Sequence, residues 1–477
     1  MIEAILLIKK THTGLSTNSS MPNSTDSHVA SHSYASNFYK EQTPAHLHYA
    51  QLCGVGGQAG VGLPTAFSSD DMFASCDIGC GFGLTPLITA AVDPTADIWG
   101  FDFNPEHISS ATALSEVAGI SNATFLTASF ETFLDQETPD FDLITLHGIF
   151  SWVSPENRQQ IRDILAKKLK PGGMVYVSYN CSTGWASAAP MQQFLCDYVD
   201  RHGSELKNGA IDSVVLVDQM RTAGASFFGV NPQAGKILDK ALQSDPRYLV
   251  HEYLTGHWTV FSPAQVANEL SGAGLEYAGS ADVTHAFDVF HMTPEAQAML
   301  NSIDDPLLRQ GVRDFFMTPL LRKDIFVKNP QQISPKQQTE LLLDQRFCTT
   351  KAADQLPQHF NFPRGGVSLT AEAHAAIKAA MIQGPASARM IIDASSTETK
   401  SVLNGLKLLT NIGFLAPALP EAMTKAAQEQ TYRFNAALAG FEENGDEPVP
   451  FYASPVTGGG ISRDTDPAVR QALGVRV

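Results

Sequence analysis

The chain has 477 residues, a length that at roughly 150 residues per domain excludes one small module. Its 32 basic and 49 acidic side chains give a formal net charge of −17. A surface of that sign repels phosphate, which excludes nonspecific nucleic-acid binding as the main activity. With 43% hydrophobic residues the chain is not disordered overall, and its six scattered cysteines, with no C-x-x-C pair, fit free thiols in a reducing compartment.

Lys9 and Lys10 follow the short apolar run at 4–8 instead of preceding it, the wrong order for a secretory signal. No run approaches the roughly 18 apolar residues of a membrane span, so a soluble cytoplasmic protein without a membrane partner is expected. Residues 1–36, rich in Ser, Thr, Asn and His, read as a flexible leader. Within 37–203, short β-type runs at 72–77, 97–102, 124–128, 141–146 and 174–179 alternate with helical patterns at 84–91, 105–118, 155–169 and 191–201. This is the rhythm of βαβ units on a parallel sheet. Pro105 and Pro155 suit first-turn helix positions, and Lys170-Pro171-Gly172-Gly173 reads as a stop.

Within 204–330, two more β-type runs at 275–278 and 324–328 are expected to complete the same sheet, an α/β fold of seven strands. The stretches 204–255 and 283–320 then become helical insertions that cap it; a separate helical domain with its own hairpin is the alternative. In 331–440 strand alternation gives way to helical patterns at 371–383, 387–394 and 398–412 with a short strand at 413–417. That order predicts a mainly helical, winged-helix-like C-terminal domain. Its third helix carries only Lys400 and Lys407, which favours a protein-contact or structural role over DNA binding. Residues 441–477, turn-rich at 442–450 and again at Ser454-Pro455 and Gly458-Gly459-Gly460, read as an extended tail.

The chemistry concentrates in Cys76-Asp77-Ile78-Gly79-Cys80-Gly81-Phe82-Gly83, a strand entering a Gly-x-Gly-x-Gly turn and then a helix. Glycine lets the backbone turn tightly and approach a ligand with no side chain between. The third glycine comes one residue earlier than in nicotinamide and flavin sites, which disfavours an NAD-dependent dehydrogenase. Asp77 just before the turn suits S-adenosyl-L-methionine (SAM), whose ammonium a carboxylate can hold directly or through water. The second strand ends Asp102-Phe103-Asn104; Asp102 stands nineteen residues after Gly83, where a carboxylate accepts both hydroxyls of a ribose. That spacing fits NAD as well as SAM, and capping of the following helix is the plainer role for Asp102. Ser129 and Phe130 can flank adenine, although Phe130 alone would be a core residue. His147 falls at the carboxyl edge of the sheet beside the Gly-rich turn, as a cofactor contact or as a hydrogen-bonded structural histidine. The pairs His46/His48 and His251/His257 lack a matching Cys or carboxylate array, so no metal is expected.

These motifs, with His147-Gly-Ile-Phe-Ser-Trp-Val153, Leu169-Lys-Pro-Gly-Gly173, Tyr176-Val-Ser-Tyr-Asn180, Gly184-Trp185 and His251-Glu-Tyr-Leu254, resemble class I SAM-dependent methyltransferases that carry a methyltransferase regulatory domain. The resemblance runs from about Phe38 to Lys328 and implies a Rossmann-like seven-stranded methyltransferase sheet with helical insertions. Some relatives are bacterial protein lysine methyltransferases, which implies a protein substrate. Asp77 replaces the glutamate of many members and keeps the charge. On this reading Gly79, Gly81 and Gly83 lie under the methionine portion of SAM, Asp102 binds the ribose, and Ser129 and Phe130 lie at adenine. Phe103, Asn104 and His147 are further cofactor contacts. The sulfonium already activates the methyl, so the protein mainly aligns an acceptor and excludes water. Tyr179 and Asn180 are the candidates for holding that acceptor. His251, Glu252 and Tyr253 supply a base or a steering carboxylate, or else seat the cap as a buried polar cluster. The expected function is methylation of a protein lysine; the alternatives are a non-catalytic SAM-binding regulator or scaffold, or a small-molecule methyltransferase.

Overall fold

Strand β1 (Ala74–Ile78) is buried along its whole length, as a strand must be in the middle of a parallel sheet covered on both faces by helices. In the computed structural model it is the third of seven strands ordered β3-β2-β1-β4-β5-β7-β6. The structure describes residues 72–476 except 204, 283–284, 286–287, 331–333, 363–364 and 444–450. The expected leader, Cys53, His46, His48 and most of the turn-rich 442–450 stretch lie outside the described residues.

β1, β2 (Asp97–Asp102), β3 (Ala123–Thr127), β4 (Phe141–Leu146) and β5 (Leu169–Asn180) run parallel. β7 (Leu321–Lys328) is antiparallel to both β5 and β6 (Leu275–Ser280). β5 starts at Leu169 and not after Gly173, because Leu169 pairs with Phe141 and a register shift lets Lys170 to Gly173 pass within the strand. One face of the sheet packs on α1 (Leu84–Val92) and α2 (Pro105–Ala118) through Leu87, Ile88, Ile98, Leu143 and Tyr176. The other packs on α3 (Phe130–Leu134), α4 (Pro155–Lys168) and a later helix at Pro263–Ser271, through Phe133, Ile161, Val177 and Val266.

The insertion between β5 and β6 begins with α5 (Ser182–Trp185) and continues as α6 (Ala189–His202), α7 (Leu206–Thr222), α8 (Ser226–Val230), α9 (Pro232–Leu242) and α10 (Pro246–Tyr253). It has a hydrophobic core of its own, built from Trp185, Leu195, Val214, Ile237, Leu249 and Tyr253. The helix at Pro263–Ser271 is α11; α12 (Pro294–Asn301) and α13 (Pro306–Met317) follow β6.

In the C-terminal region α15 (Ala371–Gln383), α16 (Ala388–Ser395) and α17 (Thr399–Asn411) pack with a three-stranded sheet; α14 (Pro335–Asp344) precedes them. The sheet is ordered β11-β8-β12 and comprises β8 (Arg346–Thr349), β11 (Ala386–Ser387) and β12 (Leu415–Ala418). A hairpin of β9 (His359–Phe362) and β10 (Gly365–Ser368) precedes α15. α18 (Glu421–Glu443) then crosses α1 and α2. The expected extended tail is corrected here. Phe451–Ser454 (β13) and Gly459–Ser462 (β14) form a hairpin in which Phe451, Tyr452, Ala453 and Ile461 are buried, and α19 (Pro467–Ala472) follows. Pro455 and Gly458 shape its turn, while Gly459 and Gly460 lie in β14. Among the described residues no helix is long and apolar enough to cross a membrane.

Candidate functional site

The turn after β1 is held by two backbone donors: Gly79 N–H and Cys80 N–H both donate to the Phe101 carbonyl, at 2.9 and 3.0 Å. Gly79, Gly81 and Gly83 all have positive φ, at 70°, 53° and 70°. A Cβ on Gly79 would meet Ile149 Cδ1 at 2.3 Å, and one on Gly83 would meet Ala111 Cβ at 2.6 Å, whereas one on Gly81 would meet nothing within 4 Å. Two glycines thus pack against the protein, and among the described residues the middle one opens onto free space, the shape of a cradle.

Asp102, 7% exposed, stands beside that space. Its Oδ2 accepts from Gly81 N–H at 3.0 Å and its Oδ1 from Asn104 N–H at 2.9 Å. These bonds fix the plane of the carboxylate and leave further lone pairs for ribose hydroxyls. The cap of α2 is Asn104, whose Oδ1 accepts from Glu106 N–H at 2.9 Å, so Asp102 is released from the plainer role and the Asn104 amide is committed to it. Phe103 projects from the same tip, half exposed. Ser129 caps α3 through a reciprocal box with Thr132, and Phe130 packs edge-on to Phe101 at 6.1 Å. The Asp102 carbonyl accepts from Ala128 N–H, which brings Ser129 and Phe130 to the same edge.

Asp77 is buried and accepts from Thr145 Oγ1 at 2.5 Å. Burial pushes its carboxyl up to about 7; the Thr145 bond opposes that and the Asp102 charge adds to it. Thr145 was missed in the sequence, although a hydroxyl within the otherwise apolar end Leu143-Ile144-Thr145-Leu146 is its signal.

At the tips of β4 and β5 the chain is laced together: Gly148 N–H donates to Ser178 Oγ at 2.9 Å and Asn180 N–H to Ser151 Oγ at 2.8 Å. His147 Nδ1 lies 3.1 Å from Tyr176 Oη. Burial holds its imidazole well below the ordinary range, and the charges of Lys323 and His251 push the same way, so the ring is neutral near pH 7. Asn180 Nδ2 donates to Glu252 Oε1 at 3.2 Å. His251, half-buried, stacks on Trp152 at 5.7 Å, and burial brings its pKa down to about 4. The structure therefore gathers His147, Asn180, His251 and Glu252 at one edge. It also adds Trp152 from the His-Gly-x-x-Ser-Trp motif, 8% exposed and with no partner for its indole Nε1–H among the described residues.

One expected acceptor contact is corrected, and Tyr253 takes the cap-seating alternative. Tyr179 alternates with Asn180 and so points through the opposite face of the sheet, fully buried, where its hydroxyl donates to Asp324 Oδ2 at 2.5 Å. Asp324 in turn pairs with Arg322, at 3.0 Å to Nε and 2.9 Å to Nη2, and Arg322 with Asp314 at 2.5 Å, all of them buried. Tyr253 lies in the core of the cap, edge-on to Trp185 at 5.9 Å.

The sheet order with its antiparallel β7, and an open glycine cradle flanked by a fixed carboxylate, define a class I SAM-dependent methyltransferase. Residues 69–213 match the family described as "Methyltransferase domain", and 245–328 the one described as "Predicted methyltransferase regulatory domain". The uncharacterised protein sll1526 of Synechocystis is 36% identical over 394 residues, 82% of this chain and 78% of that protein. The chain belongs to the family of SAM-dependent methyltransferases that carry this regulatory domain. Its fold is similar to that of PKMT2 from Rickettsia typhi, solved in complex with AdoHcy: TM-score 0.61, 20% identity, 83% of this chain and 81% of that one. A second structure of PKMT2 matches with TM-score 0.62 over 91% of this chain and 87% of that one.

Proposed function

We propose that this methyltransferase transfers the methyl of SAM to the side-chain amine of a lysine in a protein. The observation that carries this reading is the extent of the likeness to PKMT2, a protein lysine methyltransferase. It spans 83% of the chain, which is more than the nucleotide-binding sheet alone provides. The charge of −17 supports it, since an acidic enzyme suits a lysine-bearing surface and repels nucleic acid.

In this reading SAM lies along the carboxyl edge with its methionine portion over Gly79, Gly81 and Gly83. The Asp77 carboxylate faces its ammonium, Asp102 its ribose, and Phe103, Ser129 and Phe130 its adenine. Asn104 contributes by holding Asp102 and α2 in place, and His147 by closing the methyl end as a neutral donor or acceptor. The sulfonium supplies an activated methyl; this chain orients it, excludes water and presents the acceptor.

The test is tritiated-methyl transfer from SAM into cell extract, separated into protein, nucleic-acid and small-molecule fractions, with acid hydrolysis of the protein fraction. Label recovered as methyl-lysine is the expected result. Label only in small molecules, or no transfer by a chain that binds SAM, would overturn it.

A further inference from the structure

Glu252 is 5% exposed, and its Oε1 accepts from the Asn180 amide. Among the described residues it has no ion-pair partner. Two other deeply buried carboxylates, Asp324 and Asp314, share the Arg322 guanidinium. A carboxylate taken out of water without a cation is costly, and the chain retains it only if it is protonated or if a cation arrives from outside.

Its position decides between those two. Glu252 is on α10, the last cap helix before the chain returns to the sheet, and its amide partner is the last residue of β5. The same tip is joined to the segment after β4 through Ser151 and Ser178. Thr259 N–H also donates to the Ser151 carbonyl at 2.8 Å, which ties the segment after α10 to the same place. Next to Glu252, His251 lies flat on Trp152, an aromatic wall at the same edge. The Trp152 Nε1–H, buried, is a donor with no acceptor among the described residues. A buried anion, an aromatic face and an unused N–H donor are the complement of an alkylammonium on a peptide, whose nearby carbonyl oxygens can take the indole bond.

We infer that Glu252, held by Asn180 and walled by Trp152 and His251, is the receptor for the acceptor's ammonium and the group that takes its proton. This rests on the lysine reading above. In the step, one N–H bond of the ammonium breaks and an O–H bond forms on Glu252, which leaves a neutral amine. The amine lone pair then forms the new N–C bond to the methyl carbon, the C–S bond breaks, and its electron pair stays on sulfur. Glu252 returns its proton to water when product leaves. Burial pushes the Glu252 carboxyl up to about 7, which matches a base working near neutrality; the Asn180 bond and Lys240 oppose that rise. The other ionisable groups that face it are Tyr248 and Tyr253, both pushed well above neutrality by burial, and His251 beside it, which is neutral there.

The experiment compares the full chain with Glu252→Gln, which keeps the shape and the Asn180 contact and removes the charge. Tritiated methyl-lysine formation in extract protein is followed at saturating SAM from pH 6 to 9.5, beside SAM affinity by titration calorimetry. SAM affinity is expected to be unchanged, and the rate at pH 7 to fall by about 10²- to 10⁴-fold. The wild-type rate should level off above about pH 7, while the variant keeps rising with pH toward the lysine pKa of about 10.4. An unchanged rate and pH profile in Glu252→Gln, with wild type active, would overturn the Glu252 assignment alone. If wild type makes no methyl-lysine, the lysine reading fails and this inference fails with it. Glu252→Asp, which restores the carboxylate, is expected to regain part of the rate and the plateau; failure to do so with normal SAM binding would count against the proton-transfer role.

Discussion

Replacing Asp77 by asparagine should make the chain more stable and worse at binding its cofactor. The Asp77 carboxyl titrates near 7 in the folded chain against an ordinary value of 3.8, because burial disfavours its charged form. Between those values the folded state holds a proton that the unfolded state has released, so stability falls as pH rises through that window. An amide has nothing to release. From pH 5 to pH 8 the wild type therefore loses ground to Asp77→Asn over two pH units, about 1.4 kcal/mol each, or about 3 kcal/mol. Thermal melts of both chains at pH 5 and pH 8 should show a gap that widens by several degrees in favour of the variant. Binding should move the other way. A carboxylate facing the ammonium of SAM contributes about 1.5–3 kcal/mol, so the variant should bind roughly 10- to 150-fold more weakly at pH 8. Wild-type affinity should also fall by up to about tenfold per pH unit below 7, where the carboxyl must first lose its proton. Calorimetric titration with SAM from pH 5.5 to 8 checks this. A gap between the melts that does not change with pH, or equal SAM affinity in the two chains, would refute the reasoning.

The remaining substitutions separate the cofactor turn from the framework around it. Gly81→Val places a side chain in open space at positive φ; it should abolish SAM binding in titration, with a backbone cost of order 1–2 kcal/mol in thermal melts. Gly79→Ala, whose Cβ would overlap Ile149, should show the larger loss of stability. Tyr179→Phe removes a bond to the buried Asp324 and should lower stability by about 1.5–3 kcal/mol while SAM binding and turnover at 20 °C stay at wild-type levels. Lost turnover with unchanged stability would return Tyr179 to the acceptor site.

What the sequence makes legible follows strength of local signal. β2 and β4, and the helices opening at Pro105 and Pro155, emerge because apolar runs end at turns and a first-turn proline marks the helix start. Asp102 and the three glycines are legible by spacing, because the turn and the strand tip follow each other at a fixed interval. The parity of β5 is not. Whether Tyr179 or Asn180 faces the cleft depends on register against β4 and β7, and a shift of one residue exchanges them. β7 starts at Leu321, three residues before the expected 324, because Arg322 and Lys323 look like loop residues; only the buried carboxylates contributed by α13 and Asp324 make a strand position habitable for Arg322. Glu252 is readable as a motif residue, but its lack of a cation among the described residues is a property of three-dimensional surroundings.

The C-terminal region acquires its meaning from the same kind of surroundings. α1 begins immediately after the cofactor turn and ends without a glycine cap, so the carbonyls of its last turn need partners from elsewhere. Gln430 Nε2 and Thr431 Oγ1 on α18 donate to the Ala90 and Ala91 carbonyls at 2.8 and 3.0 Å, and Gln430 also bonds Asn122, whose amide caps the Asp93 carbonyl. The hairpin of β13 and β14 covers the apolar side of the same helix, and Asn435 is locked to Ala453 in both directions. Residues more than 300 positions away in sequence therefore brace the helix that carries the cofactor turn. The insertion that bears Glu252 instead has its own core and meets the sheet at the tips of β4 and β5. The glycine turn and the insertion that bears Glu252 thus rest on separate supports, so that a change in one need not disturb the other.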